Sequence, residues 1–325
     1  MSKVLVTGVN GFVGKHLARE LDNRGYEVIG TGLNESPHPQ IAEVLSEYVA
    51  CDLTETNQVD KLPIESYDAI ISLAGLARVS ESFSNAENYM RVNRLVFSVL
   101  AERMLKSSSI ARLVSVSTGA VYSPNQPLPL SESSLTINEG SPYALSKLAM
   151  EESTLEYRAK GLDCVIARPF NHTGPGQEPG FLIPDLHAKI MLAKQTDGVV
   201  RTGNLQSARD YTDVRDVAKA YADLATRDRL EFDTYNVCSG ITAPGSLILE
   251  LMLASCGISK NELDLKLDNN LVRPNDPATL YGSYERLHNA TGWRPKIELG
   301  KTIQDFVEQA SSSLPRSPNR SVPSS

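Results

Sequence analysis

Apolar residues fall into two alternating patterns along the first half of the chain. Short, nearly continuous runs at Val4–Thr7, Glu27–Gly30, Tyr48–Cys51, Ala69–Leu73, Arg112–Ser117 and Asp163–Arg168 predict strands. Between them, helical stretches are predicted over Gly14–Arg24, Tyr89–Leu105 and Pro142–Lys160. Strand and helix in turn imply right-handed βαβ units and a parallel sheet covered on both faces. The runs Ala69-Ile-Ile-Ser-Leu73 and Leu113-Val-Ser-Val-Ser117 suit strands buried on both sides.

The pattern changes after Arg168. Pro169–Gly180 carries three prolines and three glycines and reads as a shaped loop. Helices are predicted at Ile183–Lys194, Val214–Ala225 and Leu247–Cys256, with a short strand, Thr234–Cys238, returned to the main sheet. The expected fold is α/β: a Rossmann-like doubly wound parallel sheet over residues 1–168, with returning segments near 205–240, and a smaller, mostly C-terminal substrate domain over 169–310. Residues 311–325 are rich in Ser and Pro and are expected to be a disordered tail.

The 325 residues are 41% hydrophobic and 22% charged, enough for one large or two medium cores. A net charge of -7 argues against nucleic acid or an anionic membrane as the main partner, while leaving room for a small anionic ligand held by local arginines. Cys51, Cys164, Cys238 and Cys256 are far apart, form no metal-ligand spacing and read as reduced thiols of a cytoplasmic protein. No apolar run approaches the roughly 18–20 residues that span a bilayer. The first strand starts so close to Met1 that no signal peptide is expected.

Candidate chemistry begins in Val4-Leu-Val-Thr-Gly8-Val-Asn-Gly11-Phe-Val-Gly14. Glycines three apart between a strand and a helix allow a tight turn, backbone approach to a pyrophosphate and close helix–strand packing. The helix N-terminus then offers N–H groups and a positive dipole end. The expected dinucleotide contacts are Gly8, Asn10, Gly11, Phe12, Val13 and Gly14 in the turn, Asp52 and Leu53 after the third strand, and Leu73, Ala74 and Gly75 closing the fourth. Asp52 suits an adenine amino group or a helix N-cap equally. The second strand ends Gly30-Thr31-Gly32-Leu33-Asn34 without the carboxylate by which NAD enzymes bind the 2′-hydroxyl, which favours NADP; no arginine stands nearby for a 2′-phosphate, so NAD remains the alternative.

Tyr143-Ala-Leu-Ser-Lys147 follows Ser141-Pro142, a plausible N-cap and first-turn pair. Spacing i, i+4 puts the phenol and the ammonium on one helix face. A tyrosine pKa of about 10 is too high for ready proton exchange at neutral pH. The ammonium, together with an oxidised nicotinamide ring, is expected to lower it. Tyr143 then exchanges a proton with a carbonyl or alcohol oxygen, Lys147 also holds ribose hydroxyls, and Ser117 or Thr118 at the end of the fifth strand orients the substrate oxygen. The bland alternative for Tyr143 and Lys147 is a surface helix pair.

These segments, with Ser117-Thr-Gly-Ala-Val-Tyr122, Arg168-Pro-Phe-Asn171 and Asp210-Tyr-Thr-Asp-Val-Arg-Asp216, resemble the extended short-chain dehydrogenase/reductase family, from residue 3 to about 308. The resemblance implies Thr118, Tyr143 and Lys147 as the catalytic group and Asn93 as a supporting asparagine. It also implies bound NADP or NAD, a nucleoside-diphosphate sugar as substrate and a homodimer. Arg168–Gln177, Gly203–Asp216, Tyr235–Gly240 and Val272-Arg-Pro274 resemble the family's GDP-mannose branch, which implies a GDP-sugar held by Asn171, Arg209 and Arg273. Dehydratases of that branch place a glutamate two residues after the catalytic threonine. Ala120 stands there and cannot move a proton, so reduction of a 4-keto-6-deoxy sugar is expected rather than dehydration. Ala120-Val-Tyr122 also resembles sugar-nucleotide epimerases, and a non-catalytic dinucleotide-binding protein remains a second alternative. Arg168 is expected to be structural, Arg209 has a surface ion pair with Asp210 as its alternative, and His172, lacking a partner ligand, is expected to hydrogen-bond within its loop rather than bind metal.

Overall fold

The computed structural model describes residues 2–272 and 277–312. In chain order the strands are β1 (Lys3–Thr7), β2 (Glu27–Gly32), β3 (Glu47–Ala50), β4 (Ala69–Ser72), β5 (Arg112–Val116), β6 (Cys164–Pro169), β7 (Asn171–Thr173), β8 (Val199–Thr202), β9 (Ala208–Asp213), β10 (Thr234–Val237), β11 (Thr242–Pro244), β12 (Asp264–Leu267) and β13 (Thr279–Leu280). The helices are α1 (Phe12–Asn23), α2 (Thr56–Val59), α3 (Val79–Ser82), α4 (Ala86–Lys106), α5 (Pro142–Ala159), α6 (Leu182–Gln195), α7 (Val214–Thr226), α8 (Gly245–Ser255), α9 (Glu285–Thr291) and α10 (Leu299–Ser312).

Seven strands form one sheet in the order β10-β6-β5-β4-β1-β2-β3. All six of its pairings are parallel. The order reverses beside β1, so the loops after β1 and β4 diverge and open a crevice at the C-terminal edge. One face of the sheet packs against Leu17 and Leu21 of α1 and Val217 and Tyr221 of α7. The other packs against Phe97 and Leu100 of α4 and Met150 of α5. β4, with all four residues buried, needs both covers, which is why its sequence shows no alternation.

The later segments build a second core from Leu186 and Ile190 of α6, Ile248 and Met252 of α8, and Ile303 and Phe306 of α10. Here β9 pairs antiparallel with β11 and parallel with β7 and β13, while β8 pairs with β12. β10 comes from this half of the chain and pairs with β6 in the main sheet.

Two expectations are corrected. The segment read wholly as a loop, Pro169–Gly180, contains β7, whose three residues are extended because β9 lies beside them. The helix α10 reaches Ser312, two residues into the stretch read as a tail, because Ile303, Phe306 and Val307 supply an apolar stripe that α8 covers. The rest of that stretch lies outside the described residues.

Candidate active site

The C-terminal edge of the large sheet opens into a cavity of about 1190 Å³, roofed by β7, α6 and the segment leading into β9. Gly8, Asn10, Gly11, Phe12, Val13, Gly14, Asp52, Leu53, Leu73, Ala74, Gly75, Thr118, Tyr143, Lys147, Asn171 and Arg209 all line it. Residues chosen from seven separate stretches of sequence thus meet in one space. Arg273 lies outside the described residues.

The glycine turn is shaped by close approach. A Cβ on Gly14 would stand 2.6 Å from the carbonyl oxygens of both Gly8 and Val9, so only glycine lets α1 begin there. Gly8 has φ +64°, and a Cβ on it would sit 3.0 Å from the Ala74 backbone. Gly11 is the N-cap of α1 and carries no side chain to bond the first-turn N–H groups, leaving them for a ligand. A cradle that excludes Cβ atoms, beneath an uncapped helix N-terminus, fits a dinucleotide pyrophosphate.

Asp52 does not cap α2, whose N-cap is Glu55. Its Oδ1 accepts hydrogen bonds from Thr54 N at 2.9 Å and Thr54 Oγ1 at 2.7 Å, an Asx-turn that shapes the wall after β3. Asn10 has its amide engaged on the loop after β2: Nδ2 lies 3.2 Å from both Asn34 Oδ1 and Tyr48 Oη, and Oδ1 accepts from His38 N at 2.7 Å.

The catalytic candidates stand on two elements tied together. Ser141 Oγ accepts from Ala144 N at 3.2 Å and Pro142 opens α5, so Tyr143 falls in the first turn and Lys147 one turn on. The Lys147 ammonium donates to Val116 O at 2.8 Å, the last residue of β5. Asn93 of α4 donates from Nδ2 to Ser146 Oγ at 2.8 Å and to Leu76 O at 3.1 Å, and its Oδ1 accepts from Leu76 N at 2.8 Å. One buried asparagine therefore fixes α5 against the loop after β4. Thr118 is the N-cap of a one-turn 3-10 helix, its Oγ1 accepting from Ala120 N at 3.2 Å. That leaves the threonine proton to donate elsewhere, and Ala120 presents only a methyl to the cavity.

Electrostatics differ from expectation at Tyr143. Burial pushes its phenol above the ordinary tyrosine value, and the Thr118 hydroxyl only partly offsets this. Burial also draws Lys147 down to about 8, against the opposing pull of Glu151. The lowering expected from an oxidised nicotinamide ring belongs to the cofactor-bound protein; the side chains alone favour the phenol.

Several residues prove to be scaffold. Arg168 makes a buried two-pronged ion pair with Glu151, at 2.9 and 2.6 Å. Asp210 accepts from Ser239 N and Oγ and from Gly240 N, so it serves the roof and does not face Arg209. The Arg209 guanidinium donates to Ala208 O at 2.8 Å. Asp213 caps α7 and receives Thr302 Oγ1 from α10, while Asp216 accepts from Lys296 N and Ile297 N. His172 bonds within its loop through Nδ1 to Phe170 O at 3.1 Å and stacks on Phe12 with the rings 6.2 Å apart. Among the described residues no cluster of His, Cys, Asp or Glu could hold a metal ion, and no helix is long and apolar enough to cross a membrane.

Lys189 and Asp185, one turn apart on α6, also line the cavity and escaped the sequence reading. Their signal was present: two charges on one helix face between the buried Ile183, Leu186 and Ile190.

A model of the NAD dependent epimerase/dehydratase family matches residues 4–238. GDP-6-deoxy-D-mannose reductase of Pseudomonas aeruginosa is 32% identical over 314 residues, 94% of this chain and 96% of that protein. GDP-6-deoxy-D-talose 4-dehydrogenase of Aggregatibacter actinomycetemcomitans is 30% identical, covering 89% of this chain and 91% of its own. The structure of RMD from Pseudomonas aeruginosa complexed with NADPH superposes with a TM-score of 0.82 at 30% identity, over 97% of this chain and 100% of that one. The glycine turn and the crevice beside β1 lie within the matched stretch, and the chain belongs to the NAD dependent epimerase/dehydratase family.

Proposed function

We propose that this protein is a reductase of a nucleotide-linked 4-keto-6-deoxy sugar, with GDP-4-keto-6-deoxy-mannose as substrate and NADP preferred over NAD. The observation that carries the proposal is the cavity floor: a protonated Tyr143 beside the Thr118 hydroxyl, with Ala120 where a dehydratase would need an acid. Two relatives at 32% and 30% identity whose names specify GDP-6-deoxy sugars support the nucleotide and the sugar. The neighbour holding NADPH, and the absence of a carboxylate at Gly32–Asn34, support the cofactor.

A nicotinamide held in this cavity would supply the hydride for the C4 ketone. Thr118 donates its hydroxyl proton in a hydrogen bond to the ketone oxygen, since its own oxygen already accepts from Ala120 N. Tyr143 transfers its phenolic proton to that oxygen; a raised pKa favours the acid form needed in this direction. Lys147, its ammonium fixed at the end of β5, holds the ribose hydroxyls and steadies the phenolate left on Tyr143. Gly8, Asn10, Gly11, Phe12, Val13 and Gly14 seat the pyrophosphate. Asp52, Leu53, Leu73, Ala74 and Gly75 line the adenosine and ribose path. Asn171, Arg209, Arg273 and Lys189 bind the nucleotide sugar, the arginines offering planar forks of donors to its diphosphate. Residues 1–168 act as the dinucleotide domain and 169–310 mainly as the substrate domain. We further propose a cytoplasmic homodimer, supported by the unpaired cysteines and by Met90 of α4 and Leu155 of α5, which are 40% and 43% exposed.

The test offers GDP-, UDP- and dTDP-4-keto-6-deoxy sugars with NADPH and NADH, following the loss of reduced nicotinamide and identifying the product. Turnover of the GDP-sugar to a GDP-6-deoxyhexose is expected. Tightly held cofactor, no net consumption and inversion at C4 would make the protein an epimerase. Cofactor binding without turnover of any sugar nucleotide would make it a binding protein.

A further inference from the structure

The loop after β2 is held in an unusual way. Gly32 closes β2, where NAD enzymes of this fold carry their ribose-binding carboxylate. Its φ lies outside the left-handed region, so backbone conformation does not demand glycine there. Space is tight instead: a Cβ on Gly32 would stand 3.1 Å from Tyr48 Oη, so that the phenol would have to give by a few tenths of an ångström, and 3.8 Å from Asn10 Nδ2. Tyr48, on β3, donates its hydroxyl to Asn34 O at 2.8 Å and accepts from Asn10 Nδ2 at 3.2 Å. The Asn10 amide also reaches Ser36 O and receives His38 N, so the loop wraps around it.

This clamp is neutral, and the wall beside it holds a single charge. Of Gly32, Leu33, Asn34, Asp52 and Thr54, which line this end of the cavity, only Asp52 carries a charge, and one of its oxygens is occupied by Thr54. Two cations of α1, Lys15 and Arg19, act on His38 instead of lining the cavity, and the Arg19 guanidinium is fixed on Gln40 O at 2.9 Å.

We propose that Tyr48 is a positioning residue for the cofactor: by crowding Gly32 and clamping the loop with Asn10, it keeps an acidic side chain out of the end of β2, so that NADPH and NADH are distinguished only weakly. Gly32, Leu33 and Asn34, the lining residues at the end of β2, offer neither a carboxylate to repel a 2′-phosphate nor a cation to grip it. This rests on the proposed NAD(P)-dependent reading of the same site.

Direct binding tests it without turnover, by titrating the purified protein with NADPH and with NADH and following cofactor fluorescence. The two dissociation constants are expected to agree within about tenfold. In Gly32→Asp the new side chain meets the Tyr48 hydroxyl, and both cofactors weaken. In the double variant Gly32→Asp/Tyr48→Phe the carboxylate has room, and NADH is bound at least tenfold more tightly than NADPH. Tyr48→Phe alone loosens the loop and weakens both cofactors by the same factor. A wild-type ratio above a hundredfold overturns the proposal. So does a folded double variant with the wild-type ratio, or a loss in Tyr48→Phe confined to NADPH, since the phenol would then be gripping the phosphate. Absence of binding by either cofactor overturns the underlying reading as well, and is thereby told apart.

Discussion

The glycine turn after β1 and the segment Ala208–Asp216 face the same cavity, yet they are held by opposite means. At the glycine turn side chains are missing, and the backbone closes to 2.6 Å of where a Cβ on Gly14 would be. Its first-turn N–H groups meet no side-chain cap. Around Ala208–Asp216 the backbone N–H groups of Ser239, Gly240, Lys296 and Ile297 are all taken by buried carboxylates. A floor built by omission keeps its donors for a ligand, whereas a roof built by acidic clasps uses them internally. An acid-rich motif beside an active site can therefore be framework, and the glycines can be the part that binds.

The sharpest break in this contrast is expected at the floor's one proton donor. Tyr143→Phe should lower turnover of the 4-keto sugar by roughly 10²–10⁴-fold. Its cofactor affinity, measured by fluorescence, should stay within about threefold of wild type. Near-normal turnover would remove Tyr143 from the mechanism.

Next in size is a pair that should part company. Asp210→Ala leaves the backbone N–H groups of Ser239, Gly240 and Gly282 without their acceptor and should cost about 3 kcal/mol in urea unfolding. Gly14→Ala should cost about 1–3 kcal/mol by overpacking and should also weaken the cofactor, because the helix start must move. If Asp210→Ala weakened the cofactor as much as Gly14→Ala did, roof and floor would not be the separate structures described.

The smallest effect concerns Lys147. Its pKa of about 8 lies below the ordinary lysine value. Between about pH 8 and 10.5 the unfolded chain holds a proton that the folded chain has released, so this group adds stability as pH rises through that window. Lys147→Met, which cannot titrate, should be more stable than wild type by on the order of 1 kcal/mol at pH 7, the unpaired Val116 carbonyl offsetting part of the gain. That advantage should fade towards pH 10.5. An advantage unchanged by pH would mean that the burial of a charge is not its source.

Much of the floor was legible because its chemistry is local. Gly8, Gly11 and Gly14 must follow at fixed spacing, and Tyr143 and Lys147 share a face whatever the rest of the chain does. The main-sheet strands were legible because all-round burial writes itself as unbroken apolar runs. The roof was not. Whether Asp210 points at Arg209 or at Ser239, 29 residues away, depends on how distant segments pack, and no spacing encodes it. β7 is extended because β9 pairs with it, not because Asn-His-Thr prefers to be. The partner of Lys147 was hidden for a related reason: i, i+4 spacing places the ammonium on the right face but could not reveal that Val116 O would take its hydrogen bond.

The pairing of β10 with β6 has a consequence for how the chain is made. On a ribosome β6 emerges some 65 residues before its neighbour, with Ile166 through Pro169 awaiting partners in Thr234 through Val237. During that interval the growing polypeptide carries an open sheet edge, the kind of surface along which strands of other chains add. The half-made protein thus exposes an edge that only a strand from the second half of the chain seals.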